Sequence, residues 1–189
     1  MGGNYSLVFI VFYYNFILTA CEPKKTVQES GNRVLSEADS TKTGKWVTLN
    51  QNGDTASVIN YVNGVMEGNA KYFENGNLKI EAIYKEGKFH GSYTEYHPNG
   101  VVDAMGEFWN GEQHGFWKIF DERGILKREF EMNEGRPFGK FRTYFANGSV
   151  EFEGSYVNGS AGKLYNNQGD IIGEFLLEEG IIIDTVFMK

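Results

Sequence analysis

The stretch KFHGSYTEYHPNG, residues 88 to 100, decides how this chain is read. Taken alone, it crowds His90 and His97 among aromatics and carboxylates, as an active site does. Its cadence returns as EQHGFWKIFDERG, residues 112 to 124, and again as RPFGKFRTYFANG, residues 136 to 148. Side chains that recur on a fixed step answer first to architecture, because each unit of a repeat must offer its neighbours the same faces.

Glycines mark the step. One series falls at Gly53, Gly76, Gly100, Gly124, Gly148 and Gly169, with intervals of 23, 24, 24, 24 and 21. A second series, Gly64, Gly87, Gly111, Gly135, Gly159 and Gly180, keeps the same intervals, 11 residues behind the first in every unit. Seven sites read Asn-Gly, at Gly53, Gly64, Gly76, Gly100, Gly111, Gly148 and Gly159. Asn-Gly predicts a two-residue type I′ turn with positive φ at both central positions, so each unit is expected to be a β-hairpin. Between turns the apolar residues alternate with period two. Leu78, Ile80, Ala82 and Tyr84 share one face of LKIEAIY, and Val150, Phe152, Gly154 and Tyr156 share one face of SVEFEGSY. That pattern describes strands with one buried face.

Two columns are expected to form the core. Four residues before the first-series glycines stand Leu49, Tyr72, Tyr96, Phe120, Tyr144 and Tyr165; three before the second stand Tyr61, Tyr84, Phe108, Met132, Tyr156 and Leu177. GIIIDTVFMK, residues 180 to 189, reads as a terminal strand. With 24 glycines, only 3 prolines and 15% aromatic residues, the composition is that of a β-rich chain full of tight turns. The expected fold is all-β: an elongated, twisted, single-layer antiparallel sheet of tandem hairpins over residues 44–189, in about six units of roughly 24 residues.

The N-terminus has a different character. Residues 1–21 hold no Lys, Arg, Asp or Glu, and the apolar run from Leu7 to Ala20 is shorter than the roughly twenty residues that span a bilayer as a helix. The length suits the h-region of a signal peptide, expected over residues 1–20. Its end, Leu18-Thr19-Ala20-Cys21, resembles the lipobox of bacterial lipoproteins, in which the cysteine is acylated and becomes the new terminus. Cys21 is the single cysteine of the chain, so lipid attachment is its natural use. MGGNYS also fits an N-myristoylation pattern at Gly2, which explains neither the apolar run nor Cys21. Glu22, where an Asp would signal inner-membrane retention, leans the resemblance toward the outer membrane, facing periplasm or exterior. Residues 21–43 read as the lipidated cysteine and a flexible tether.

The repeat itself resembles the bacterial MORN-variant family. Gly87 with Gly91, Tyr93, Tyr96 and Gly100 carries the resemblance, as do Gly111 with Gly115, Trp117, Phe120 and Gly124, and Gly135 with Gly139, Phe141, Tyr144 and Gly148. It implies a sheet used for binding or scaffolding, supplies no catalytic residue, and carries a frequent label of antitoxin component, hence a toxin as an alternative partner.

The chemical readings are weaker than the architectural one. His90 and His114, 24 residues apart, hold the same place in consecutive units, about 10 Å apart at two strands per unit, too far to share a zinc ion. Glu129 with Glu131, and Glu151 with Glu153, lie two apart on a polar strand face and read as solvated rather than as a glycosidase pair. No nucleophile triad, phosphate loop or metal motif stands out, so no catalytic residue, metal or cofactor is expected. A formal charge of 18 − 25 = −7 argues against a nucleic-acid partner. Tyr93, Trp117 and Phe141 lie three before Tyr96, Phe120 and Tyr144, and the odd offset sends them to the opposite face. There they are candidates to stack on a glycan or grip an extended protein partner, unless sheet twist or a bulge buries them as well. Composition and spacing name neither the partner nor the oligomeric state.

Overall fold

The structure is a computed structural model describing residues 42–157, 160–178 and 181–188. The apolar leader, Cys21, the tether up to residue 41, the turn Asn158-Gly159 and Gly180 lie outside the described residues. Thirteen strands follow one another: β1 (Gly44–Leu49), β2 (Thr55–Val62), β3 (Val65–Glu74), β4 (Asn77–Lys85), β5 (Lys88–Tyr96), β6 (Val102–Trp109) and β7 (Glu112–Phe120), then β8 (Leu126–Asn133), β9 (Arg136–Tyr144), β10 (Val150–Ser155), β11 (Ser160–Tyr165), β12 (Ile171–Glu178) and β13 (Ile181–Phe187). They form one antiparallel sheet in which spatial order equals sequence order. The fold is the expected single layer of tandem hairpins.

The two glycine series build different turns. Asn63, Asn75, Asn110, Glu86 and Glu134 have φ of 49–52°, each followed by a glycine of positive φ, so these are two-residue loops with both central residues left-handed. Asn52, Asn99 and Asn147 do not, and there the expected turn type is corrected. At Asn99-Gly100 the Gly100 N–H donates to the His97 carbonyl and the His97 N–H to the Val101 carbonyl, which closes a three-residue loop with glycine alone in the left-handed region. The same pair of bonds recurs around Gly53, Gly124, Gly148 and Gly169. Gly76 closes a two-residue loop instead, and that one missing residue makes its unit 23 long rather than 24.

Turns also tie unit to unit. The N–H of Gly87 donates to the carbonyl of Met66, Gly111 to Phe89 and Gly135 to Gln113, each reaching back across one repeat. Asn99 Nδ2 donates to the Glu122 carbonyl and Asn147 Nδ2 to the Asn167 carbonyl, from one loop to the next.

A single layer can build a core on one face only by packing its own side chains into each other. Paired positions run Ile59, Ala70, Ala82, Tyr93, Gly106 across β2 to β6, and Trp117, Phe130, Phe141, Gly154 across β7 to β10. Large rings therefore alternate with small residues. The Trp117 ring fills the space over Gly106, Phe141 that over Gly154, and Phe175 that over Gly162, where an added Cβ would collide with each ring. Tyr93, Phe108 and Trp117 pack mutually with centroids 5.3–5.7 Å apart. Trp117 is fully buried, and Phe130 joins this group to a second one of Phe141, Phe175 and Leu177. Placing a methyl over Gly106 overpacks this row, so Gly106→Ala is expected to cost about 1–3 kcal/mol. Thermal unfolding of the variant checks it, and an unchanged midpoint would show the ring to be loosely seated.

Candidate functional site

The rings proposed for partner contact are the core itself. Tyr93, Trp117 and Phe141 are 5%, 0% and 2% exposed, so none of them can touch a partner. The odd offset was correct, but the faces are exchanged. Tyr96, Phe120, Tyr144 and Tyr165 point away from the core, and Tyr72 points into it, beside Ile80 and with its hydroxyl 2.8 Å from that of Tyr84. The reason is loop length: four residues back from Gly76 crosses a two-residue loop, whereas four back from Gly100 crosses a three-residue one and lands on the other face. Of the second column, Tyr84, Phe108, Met132 and Leu177 are buried as expected.

The outward face is left to solvent, and it is ordered by charge. One row of paired positions crosses it: Lys71, Glu81, Thr94, Met105, Lys118, Glu129, Arg142, Glu153, Lys163 and Glu174. Signs alternate along this ladder except at Thr94 and Met105. Lys71 meets Glu81 at 2.5 Å, and Arg142 meets Glu153 at 3.1 Å and Glu129 at 3.5 Å. Tyrosines complete it: the hydroxyl of Tyr96 donates to Glu81 at 2.8 Å, Tyr144 to Glu129 at 2.7 Å and Tyr165 to Glu153 at 2.5 Å. Glu129 and Glu153, singled out as parts of carboxylate pairs, are members of this ladder, while Glu131 folds its carboxylate over Gly139 and accepts the N–H of Lys140.

Exposed rings stand beside the ladder. Trp109, Phe116 and Phe138 are 59%, 63% and 57% exposed, and Met105 is 42% exposed. Phe116 and Phe138 both pair with Glu131, one from each side, so they sit two strands apart, about 10 Å. These are the residues that sequence reasoning missed. The signal was present, since Phe138 precedes its repeat glycine as His90 and His114 precede theirs, and Phe116 adjoins the inward Trp117.

The histidines are dispersed. His90 stacks on Trp109 with centroids 4.2 Å apart, His114 is exposed, and the His97 Nε2 lies 3.1 Å from the Phe120 carbonyl and 3.5 Å from Asp103. Burial raises the Asp103 pKa, an effect that the nearby His97 opposes. Among the described residues no three His, Cys, Asp or Glu side chains gather as metal ligands would. Among the described residues, one depression lies against Phe138 between Glu112, Glu134 and Arg136.

Three units match the MORN repeat variant model. The matched residues are 66–86, 89–110 and 139–158, and the unmatched interval between them keeps the same glycine step. No curated protein matches the chain. Among solved structures, the crystal structure of accessory secretory protein 1, 2 and 3 in Streptococcus pneumoniae is similar at 16% identity and a TM-score of 0.34, covering 51% of this chain and 18% of that one.

The ladder makes stability pH-dependent at both ends. Hydrogen bonding from Lys71, then Tyr96, holds the Glu81 pKa below its usual 4.5, and Tyr165, then Arg142, do so for Glu153. Burial, reinforced by the carboxylate each one bonds, pushes Tyr96 and Tyr144 from 10.0 up to about 12. A depressed carboxylate stabilises the fold above its unfolded pKa and loses that contribution as pH falls; a raised phenol stabilises it below pH 10.0 and loses that contribution on the way to about 12. Denaturation across pH should therefore show a plateau with two falling limbs. Glu153→Gln is expected to flatten the acid limb and Tyr144→Phe the alkaline one, and limbs unchanged by either variant would contradict the assignment.

Proposed function

We propose that the chain is a non-enzymatic, lipid-anchored protein of the bacterial cell envelope whose MORN-type repeats present a binding or scaffolding surface. One observation carries the reading: the sheet consumes one face in packing itself, and the other bears Trp109, Phe116 and Phe138 exposed beside a charge ladder. Aromatic anchors ringed by charges have the anatomy of a contact surface, in which a few large side chains supply most of the binding energy. The MORN repeat variant matches support a binding role, and the resemblance of Leu18-Thr19-Ala20-Cys21 to a lipobox supports the anchor. Two or more acyl chains at Cys21 would hold the chain stably at a membrane without a contribution from the sheet, and Glu22 supports outer-membrane placement.

Two measurements test the halves of this reading separately. Cys21→Ala is expected to abolish fatty-acid labelling and to release the chain from the membrane fraction; labelling that persists would remove the anchor. Phe116→Ala combined with Phe138→Ala is expected to weaken retention of co-purifying components about tenfold or more while the thermal midpoint holds. An unchanged set of co-purifying components would remove the outward face as the contact surface.

A further inference from the structure

The two steps on either side of the break in the charge ladder are mirror opposites in sign. Counting strands outward from the gap between Thr94 on β5 and Met105 on β6, the first step meets Glu81 on one side and Lys118 on the other. The second step meets Lys71 and Glu129. The gap is also where the repeat changes its chemistry. Glu81 with Tyr96 and Glu129 with Tyr144 are hydrogen-bonded pairs 48 residues apart, and midway between them stand Met105 and Phe120, which cannot form that bond. Carboxylate and phenol are replaced together by two apolar side chains, next to the exposed Phe116.

Resting on the reading of the outward face as a contact surface, we propose that its partner is a second copy of this chain. The two outward faces pair about a two-fold axis that runs along the strands between Thr94 and Met105. Rotation about that axis lays Lys118 of one copy over Glu81 of the other and Glu129 over Lys71, at about 7 and 12 Å to either side for strands 4.8 Å apart. Each pairing occurs twice, because a two-fold contact is self-complementary. An in-plane axis across the strands would instead stack Lys118 on Lys118 and Glu81 on Glu81, so the charges select one arrangement. At the centre, Met105 and Phe116 supply apolar area that charges alone would not, since charged pairs set register and specificity more than affinity. Two twisted sheets stacked face to face diverge by about 30°, which confines contact to the strands nearest the axis, where the charges match. One strand further out the match ends, with Arg142 set against Val58.

Cross-linking of the full chain in its own cells tests this. Met105→Cys, treated with a short bis-maleimide, is expected to give a product of twice the chain mass that wild type, whose single cysteine is Cys21, does not give. Lys71→Glu with Glu81→Lys keeps opposite signs between neighbours within the chain, since the uncharged Val58 and Thr94 flank the pair, but sets like charges across the axis, and is expected to lower the yield about tenfold or more. Adding Lys118→Glu and Glu129→Lys, together with Arg142→Gln to remove the positive neighbour of position 129, is expected to restore it. A yield indifferent to the first exchange, or not restored by the second, would overturn the pairing. Cross-linking of Met105→Cys to a different protein would overturn the second copy as partner while leaving the outward face as a contact surface. No adduct at all, in a chain whose new cysteine takes a simple maleimide, would remove both.

Discussion

Trp117 lying over Gly106 is the contact on which the rest of the molecule depends. Among the described residues no second layer covers the apolar face of this sheet, and an exposed row of rings would be an aggregation surface rather than a core. Alternating ring and glycine along one row lets each ring lie flat on its neighbour strand, so that Tyr93, Trp117 and Phe141 vanish from solvent within a single layer. Interactions outside the array are not required for that burial. What the glycines give up in conformational entropy they return as room for rings that each bury a large apolar area.

That solution commits the two faces to different tasks. The core face is taken up by its own packing, while the outward face is ordered by a ladder whose members grip one another. Exposed ion pairs of this kind contribute little to stability singly. Their value is positional: Tyr96, Tyr144 and Tyr165 fix the carboxylates of Glu81, Glu129 and Glu153, and so fix where charge is displayed. Against that regular background, Met105, Phe116 and Phe120 are conspicuous as an interruption, which is how a repeat protein with near-identical units can carry a distinct address.

The fold was legible because two glycine series and a period-two pattern both speak directly of hairpins, and among the described residues the turns fall at the glycines of both series. The assignment of faces was harder to read. Asn-Gly is compatible with a two-residue loop, as at Asn110-Gly111, and with the end of a three-residue loop, as at Asn99-Gly100, and the difference of one residue inverts which side chains face inward. Tyr72 and Tyr96 look equivalent when counted from their glycines and lie on opposite faces for this reason. Register taken from Tyr84, Phe108 and Met132, whose turns are uniform, leads correctly to Tyr93 and Trp117 as core. Phe116 and Phe138 could then have been read as outward by alternation from Trp117 and by kinship with His90 and His114.

Hydroxyl-radical footprinting of the intact chain, resolved residue by residue, tests the assignment of faces most directly. The account predicts strong modification of Trp109 and Phe138 together with protection of Tyr93, Trp117 and Phe141. Protection of Trp109 and Phe138 with modification of Trp117 and Phe141 would contradict it, and would return the contact surface to the face described here as core.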